Sequence, residues 1–220
     1  MTLSDSFRFA IGKPISGGNV ILEVSDNVRH CMATMYDNGE LVIGFDCTLG
    51  SIWPPETDWF QNLMAWPMTF SVGSSKYKAM AGFVGEYLSI RESIFNAIDT
   101  EKPKTIRIFG YSQGAAHATL AWRDLANRYP TLGIHATVFA SPRVYATDSA
   151  REFDLFLSNS DPKVRTFQRY ECWGDPVPHL PPLILGYSPV GPVKMIGPFR
   201  FIFNPSVHEG SNYIKVLESL

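Results

Sequence analysis

The sequence predicts an α/β fold in which a mostly parallel central sheet carries helices on both faces. Three observations predict it. A short apolar strand at 105–109 runs into Gly110–Gly114 and turns at once into an alanine-rich helix, strand-like and helix-like stretches alternate from there onward, and a hairpin signal stands near the amino end. The hairpin comes first: RHCMATMY (29–36) and LVIGFDCT (41–48) are rich in strand-forming residues and flank Asp37-Asn38-Gly39-Glu40, whose Asn-Gly core suits a tight turn. From Phe83, apolar residues recur at helical spacing through Tyr87, Ile90, Ile94 and Ile98, and Lys102-Pro103 marks the end of that helix. TIRIF is then a buried strand. The helix after Ser112 places Ala118, Ala121, Leu125 and Tyr129 on one side and stops at Pro130. IHATVFA (134–140) and TFQRYECW (166–173) read as further strands, FRFIF (199–203) as another, and EGSNYIKVLESL as a terminal helix.

Bulk properties bound the function. The 220 residues fit one domain spanning 1–220, with no internal repeat or low-complexity linker. A net charge of −2 without any Lys/Arg block argues against nucleic acid as a partner. No run approaches the roughly 18 apolar residues of an integral membrane segment. MTLSDSFRFAIGKPIS lacks an unbroken apolar core, so no signal peptide is expected and the protein reads as cytoplasmic, or as secreted if a leader once preceded Met1. Cys31, Cys47 and Cys172 are an odd, scattered set, which predicts buried free thiols rather than disulfides or a metal site. The sequence specifies no oligomeric state.

The strand–turn–helix at Gly110-Tyr111-Ser112-Gln113-Gly114 is the setting in which G-x-S-x-G forms a nucleophile elbow. Its glycines allow a tight turn and keep bulk away from the serine, whose oxygen then stands beside a helix N-terminus that favours negative charge. The plainer reading is a tight turn with a helix-capping serine. A serine nucleophile needs a base, and the base needs an orienting carboxylate, in the chain order Ser, acid, His on such folds. Asp175 directly follows the strand TFQRYECW, at the carboxyl end where these sheets keep their sites. Asp161 precedes that strand, and Asp148, Glu152 and Asp154 lie in a helix-like stretch. For the base, His208 falls between the last strand and the last helix. His179, four residues after Asp175, is the weaker candidate, while His30, His117 and His135 read as structural or surface residues.

Taken together these residues resemble the class 3 lipases, the fungal triacylglycerol lipase type of α/β-hydrolase. LVIGFDCT followed by DWFQNL, then MAGF (80–83), GYSQGAA, FASPRV (139–144), GDPVPHLPP and VHEGSNYI match that family in order, over roughly residues 30–217. The resemblance implies an α/β-hydrolase fold, with Ser112 as nucleophile, Asp175 as acid and His208 as base. It implies an oxyanion hole from the Thr48 hydroxyl and N–H with the Gln113 N–H. It implies a serine carboxylic ester hydrolase acting on acylglycerols or other apolar acyl esters, with no cofactor and no metal. Its partners would be a lipid or small ester substrate and, where the substrate aggregates, a lipid interface. Three positions depart from the family pattern. Asp46-Cys47 replaces Arg-Gly, Met80 replaces a histidine, and Tyr111 and Gln113 flank the serine as in cutinases. Two other readings are therefore carried, a cutinase-like esterase and a catalytically silent relative that only binds. Residues 51–66, with Trp53, Trp59, Phe60, Leu63, Met64 and Trp66, occupy the place of the family's lid. Thr57 can N-cap a short helix there that Pro67 must end, either as a mobile flap or as a core helix.

Overall fold

The computed structural model describes residues 1–13, 16–25, 30–46 and 66–220. Among these, one sheet holds seven strands: β1 (Gly18–Ser25), β2 (His30–Tyr36), β3 (Glu40–Asp46), β6 (Thr105–Tyr111), β7 (Gly133–Phe139), β9 (Arg165–Cys172) and β11 (Val193–Ile196). They lie side by side in that same order. β1, β2 and β3 pair antiparallel, and everything from β3 to β11 is parallel. The hairpin and the parallel centre expected from the sequence are thus both present.

Side chains alternate across the strands and so feed two cores. On one face Leu41, Ile43, Phe45, Ile106 and Ile108 pack against helices α2 (Ala81–Glu101), α3 (Gln113–Arg128) and α4 (Thr147–Ser158). On the other, Val42, Phe109 and Tyr111 meet α1 (Leu3–Ala10) and α5 (Gly210–Glu218). Helix α3 is buried along nearly its whole length, which its alanines permit by letting it lie close to the sheet. Helix α2 ends where Lys102 adopts a left-handed conformation (φ 50°), one residue before Pro103.

Four features differ from the sequence reading. The first is α1, held by a reciprocal cap between Thr2 and Asp5 and by complete burial of Phe7 and Phe9. The second is strand β1, which extends the antiparallel edge. The third is a second, four-stranded antiparallel sheet, built from β4 (Pro67–Val72), β5 (Ser75–Met80), β8 (Tyr145–Ala146) and β10 (Tyr187–Ser188) in the order β10-β8-β5-β4. Pro67 opens β4 there, and most of the stretch 51–66 lies outside the described residues. Fourth, FRFIF is not a strand. Residues 199–203 run through bends with every side chain exposed; β11 closes the sheet at Ile196, and among the described residues no neighbouring strand remains for them to pair with. No helix among the described residues is long and apolar enough to cross a membrane.

Candidate active site

Three carboxyl-end connections converge on one point. β6 ends at Tyr111 and the chain reverses at Ser112, whose backbone (φ 56°, ψ −124°) is a conformation non-glycine residues rarely hold. The reversal brings backbones together so closely that the flanking glycines are obligatory. A Cβ on Gly110 would lie 2.4 Å from the Gly114 carbonyl oxygen, and one on Gly114 would lie 2.0 Å from that of Phe45. The Ser112 N–H donates to the Phe139 carbonyl (3.0 Å), fixing the turn to β7. Ser112 occupies the N-cap position of α3 yet makes no capping bond with its side chain. Its hydroxyl is directed elsewhere.

That direction is His208. Oγ of Ser112 lies 2.8 Å from His208 Nε2, and His208 Nδ1 lies 3.0 and 2.9 Å from the two carboxylate oxygens of Asp175. All three residues are buried, at 1%, 2% and 1% exposure for Ser112, His208 and Asp175. An ionised carboxylate only accepts, so Nδ1 carries the proton and Nε2 presents its lone pair to the serine hydroxyl. The geometry can therefore draw the proton from Ser112 and stabilise the imidazolium that results.

Each member is held from behind. Asp175 follows the tight Trp173-Gly174 turn after β9 and receives two further donors, the Val177 N–H (2.9 Å) and the Tyr213 hydroxyl (2.7 Å). Tyr213, on α5, in turn accepts from the Cys172 N–H (3.0 Å). Burial, with Asp175 beside it, keeps the Tyr213 hydroxyl well above its usual range, so it stays a donor. His208 closes a short 3₁₀ turn (Pro205–His208) capped by the Asn204 side chain. Its ring stacks on Tyr111 (5.1 Å, 20°), and the Tyr111 hydroxyl donates to the His208 carbonyl. Phe7 of α1 completes the packing, stacked on Tyr213 (5.6 Å) and edge-on to Tyr111 (5.1 Å).

The other candidates fall elsewhere. The His179 ring lies against Phe203 (4.8 Å), its backbone oxygen accepts from Arg143, and burial chiefly, with Arg143 next, lowers its pKa. His117 is buried beside Glu86, and His135 pairs with Thr166 on the exposed start of β7. Asp148, Glu152 and Asp154 lie on α4, and Asp161 precedes β9. Thr48 and Cys47 lie outside the described residues, as does the side chain of His30. Burial pushes the Cys31 and Cys172 thiols up to about 12, which leaves both unreactive at neutral pH. Among the described residues no group of His, Cys, Asp and Glu could hold a metal ion.

Sequence reasoning noted Tyr111 only as a neighbour of the serine and missed its role under His208, and it missed Tyr213 and Phe7. Tyr111 lies two residues after Phe109 on β6, which places both on the α1 face. Tyr213 offers no signal beyond its position early in the last helix. In the chain between Asp175 and His208, Leu183, Ile184 and Leu185 and the loop Phe199, Phe201, Ile202 and Phe203 expose large apolar side chains, with Ile184 93% and Phe201 92% exposed. The Asn204 N–H donates to the Gly174 carbonyl (2.9 Å), which ties that loop to the turn carrying Asp175.

Comparison with known proteins agrees with this architecture. A family model described as Lipase (class 3) matches residues 50–185. The secreted mono- and diacylglycerol lipases A of Penicillium cyclopium and Penicillium camembertii are each 33% identical over 119 residues, covering 52% of this chain and 36% of theirs. The match thus spans little more than a third of these curated relatives. Among solved structures, a Rhizomucor miehei triacylglyceride lipase aligns with a TM-score of 0.64 at 21% identity, over 81% of this chain and 66% of that one. A Yarrowia lipolytica lipase aligns with a TM-score of 0.66 at 18% identity, over 82% and 67%. The shared architecture is the α/β-hydrolase fold.

Proposed function

This chain belongs to the class 3 lipase family, and from that premise we propose that it is a serine carboxylic ester hydrolase working through an acyl-enzyme on Ser112. The observation that carries the reading is the buried line from Ser112 Oγ through His208 to Asp175, set on a strained elbow. Ser112 Oγ attacks the ester carbonyl carbon while His208 Nε2 takes its proton. The tetrahedral oxyanion is met by the Gln113 N–H at the start of α3 and by Thr48, a role that the family resemblance assigns. Collapse expels the alcohol, which leaves with the proton from His208. Water then enters, loses a proton to His208 and releases the acid, restoring Ser112. Asp175 keeps Nδ1 protonated and balances the imidazolium in both halves.

Acylglycerols or similar apolar acyl esters are the proposed substrates. Supporting this, the chain between Asp175 and His208 exposes large apolar side chains at 183–185 and 199–203, and such apolar surface favours a lipid-like ligand or interface. A fluorophosphonate probe tests the chemistry: it should label the wild type at Ser112 and leave Ser112→Ala unlabelled. Turnover of nitrophenyl esters of graded acyl length then tests the substrate class, with longer acyl chains favoured in kcat/KM. A folded protein that neither labels nor turns over esters would instead be a silent, ligand-binding member of the family.

A further inference from the structure

One polar cluster next to the site has no part in the Ser–His–Asp line. Glu86 projects from α2 toward the first turn of α3, where its Oε2 accepts from Gln113 Nε2 (2.6 Å) and lies 2.7 Å from His117 Nε2. Gln113 and His117 stand one helical turn apart on the same side of α3, so a single carboxylate oxygen reaches both. The cluster is enclosed. Gln113 is 2% and His117 3% exposed, the Glu86 side chain is 17% exposed, and the rings of Phe45 and Phe83 meet His117 edge-on at 6.3 and 6.2 Å. Drawing an ionised group and two polar side chains into such a place costs more than packing α2 on α3 with aliphatic residues would. The arrangement does something packing alone would not.

Its role lies in the first turn of α3. Ser112 gives that turn no side-chain cap, and the turn contains no acidic residue of its own. Its N–H groups are nevertheless the ones that must be fixed in place before charge develops on the substrate, since preorganisation is the source of oxyanion stabilisation. Glu86 supplies the missing anchor from the neighbouring helix. It brings a negative charge to the helix N-terminus, favourable to the dipole, and grips the two side chains that bracket the turn. We propose that Glu86 is a positioning residue for the oxyanion hole, tying Gln113 and His117 to α2 and thereby holding the Gln113 N–H in register with Ser112. This rests on the reading of Ser112 as an ester-hydrolysing nucleophile.

Steady-state kinetics on a short, water-soluble nitrophenyl ester, with melting temperatures measured alongside, test the assignment. Glu86→Ala should lower kcat by about tenfold or more with KM within about twofold, because only transition-state stabilisation is lost. Glu86→Gln should stay within about threefold of wild type, since an amide oxygen at the Oε2 position still accepts from both partners. Gln113→Ala, which keeps the backbone N–H but cuts the tether, should reproduce the fall in kcat, and the double variant should be no worse than the worse single one. Should Glu86→Ala fail to fold, Gln113→Ala against wild type carries the same test. An unchanged kcat in Glu86→Ala or Gln113→Ala, or a Glu86→Gln as damaged as Glu86→Ala, overturns the proposal while leaving wild-type activity standing. A wild type that neither labels with fluorophosphonate nor turns over esters overturns the underlying function instead.

Discussion

Asp175→Asn changes one oxygen for an amide nitrogen, in a site where every group facing the carboxylate is a donor. Those groups are His208 Nδ1, the Val177 N–H and the Tyr213 hydroxyl. An asparagine must therefore point its NH₂ at one of them. Facing Val177, it would strand a buried N–H at a cost of about 1–3 kcal/mol. Facing Tyr213 it meets a phenol oxygen that can accept, and His208 Nδ1, 3.0 and 2.9 Å from the two carboxylate oxygens, meets the NH₂ in either orientation and can move its proton. The second orientation should win. His208 then accepts at Nδ1 and carries its proton on Nε2, where it faces the Ser112 hydroxyl as a donor instead of a base. In a serine protease the same swap lowers kcat by about 10⁴, which corresponds to about 5.5 kcal/mol of activation free energy. A loss of that size is expected here on a soluble nitrophenyl ester, with the melting temperature moved by only a few degrees. Nitrogen NMR of the histidine should find Nε2 protonated. A folded Asn variant retaining kcat within tenfold of wild type would refute the claim that Asp175 sets the tautomer.

His208→Ala should abolish turnover by about 10⁴-fold or more, whereas His179→Ala should hold kcat within about threefold, since His179 packs on Phe203 away from Ser112; the opposite ranking would move the base. Gly114→Ala forces a Cβ to within 2.0 Å of the Phe45 carbonyl oxygen, so it should drop soluble yield and melting temperature together, and a normally stable Ala variant would show the elbow to be looser than that contact makes it. Thr48→Val removes a hydroxyl at constant size and should cost about 10²-fold in kcat with KM little changed; an unaltered kcat places the second oxyanion donor on another residue.

The centre of this fold was legible because each local signal agreed with its neighbours. Gly110 and Gly114 require a backbone crossing, Ile106 and Ile108 a buried strand, and the alanines of α3 a helix lying close to the sheet. Asp175 was singled out by position, at the end of β9; His208 was placed between a strand read at FRFIF and the last helix, and although 199–203 forms no strand, β11 still precedes His208 and α5 follows it. The pieces that escaped depend on contacts made at a distance. An eight-residue helix such as α1 is marginal by propensity and stands because Phe7 and Phe9 have a core to enter. FRFIF has strand-forming residues, but strand propensity expresses packing against neighbouring strands, and among the described residues none lies beside this segment. Pro67 reads as a helix stop in the sequence, although a proline opens an edge strand equally well. Glu86 carries no signal of its own, because its partners come from another helix.

Phe7 makes the amino-terminal helix part of the wall around the reacting atoms. It touches Tyr111, on which His208 stacks, and Tyr213, which donates to Asp175, while the neighbouring Arg8 pairs with Glu218 at the far end of α5 (2.6 Å). The way the protein is handled then matters to what it does. A bead or surface coupled through the first few residues would pull on the ring that steadies both His208 and Asp175 through their tyrosines. Coupling through β1, the edge of the sheet opposite β11, would put the load on a strand separated by β2 and β3 from β6, which carries Tyr111. The two preparations of one sequence should differ in turnover per molecule, with the edge-coupled one the faster.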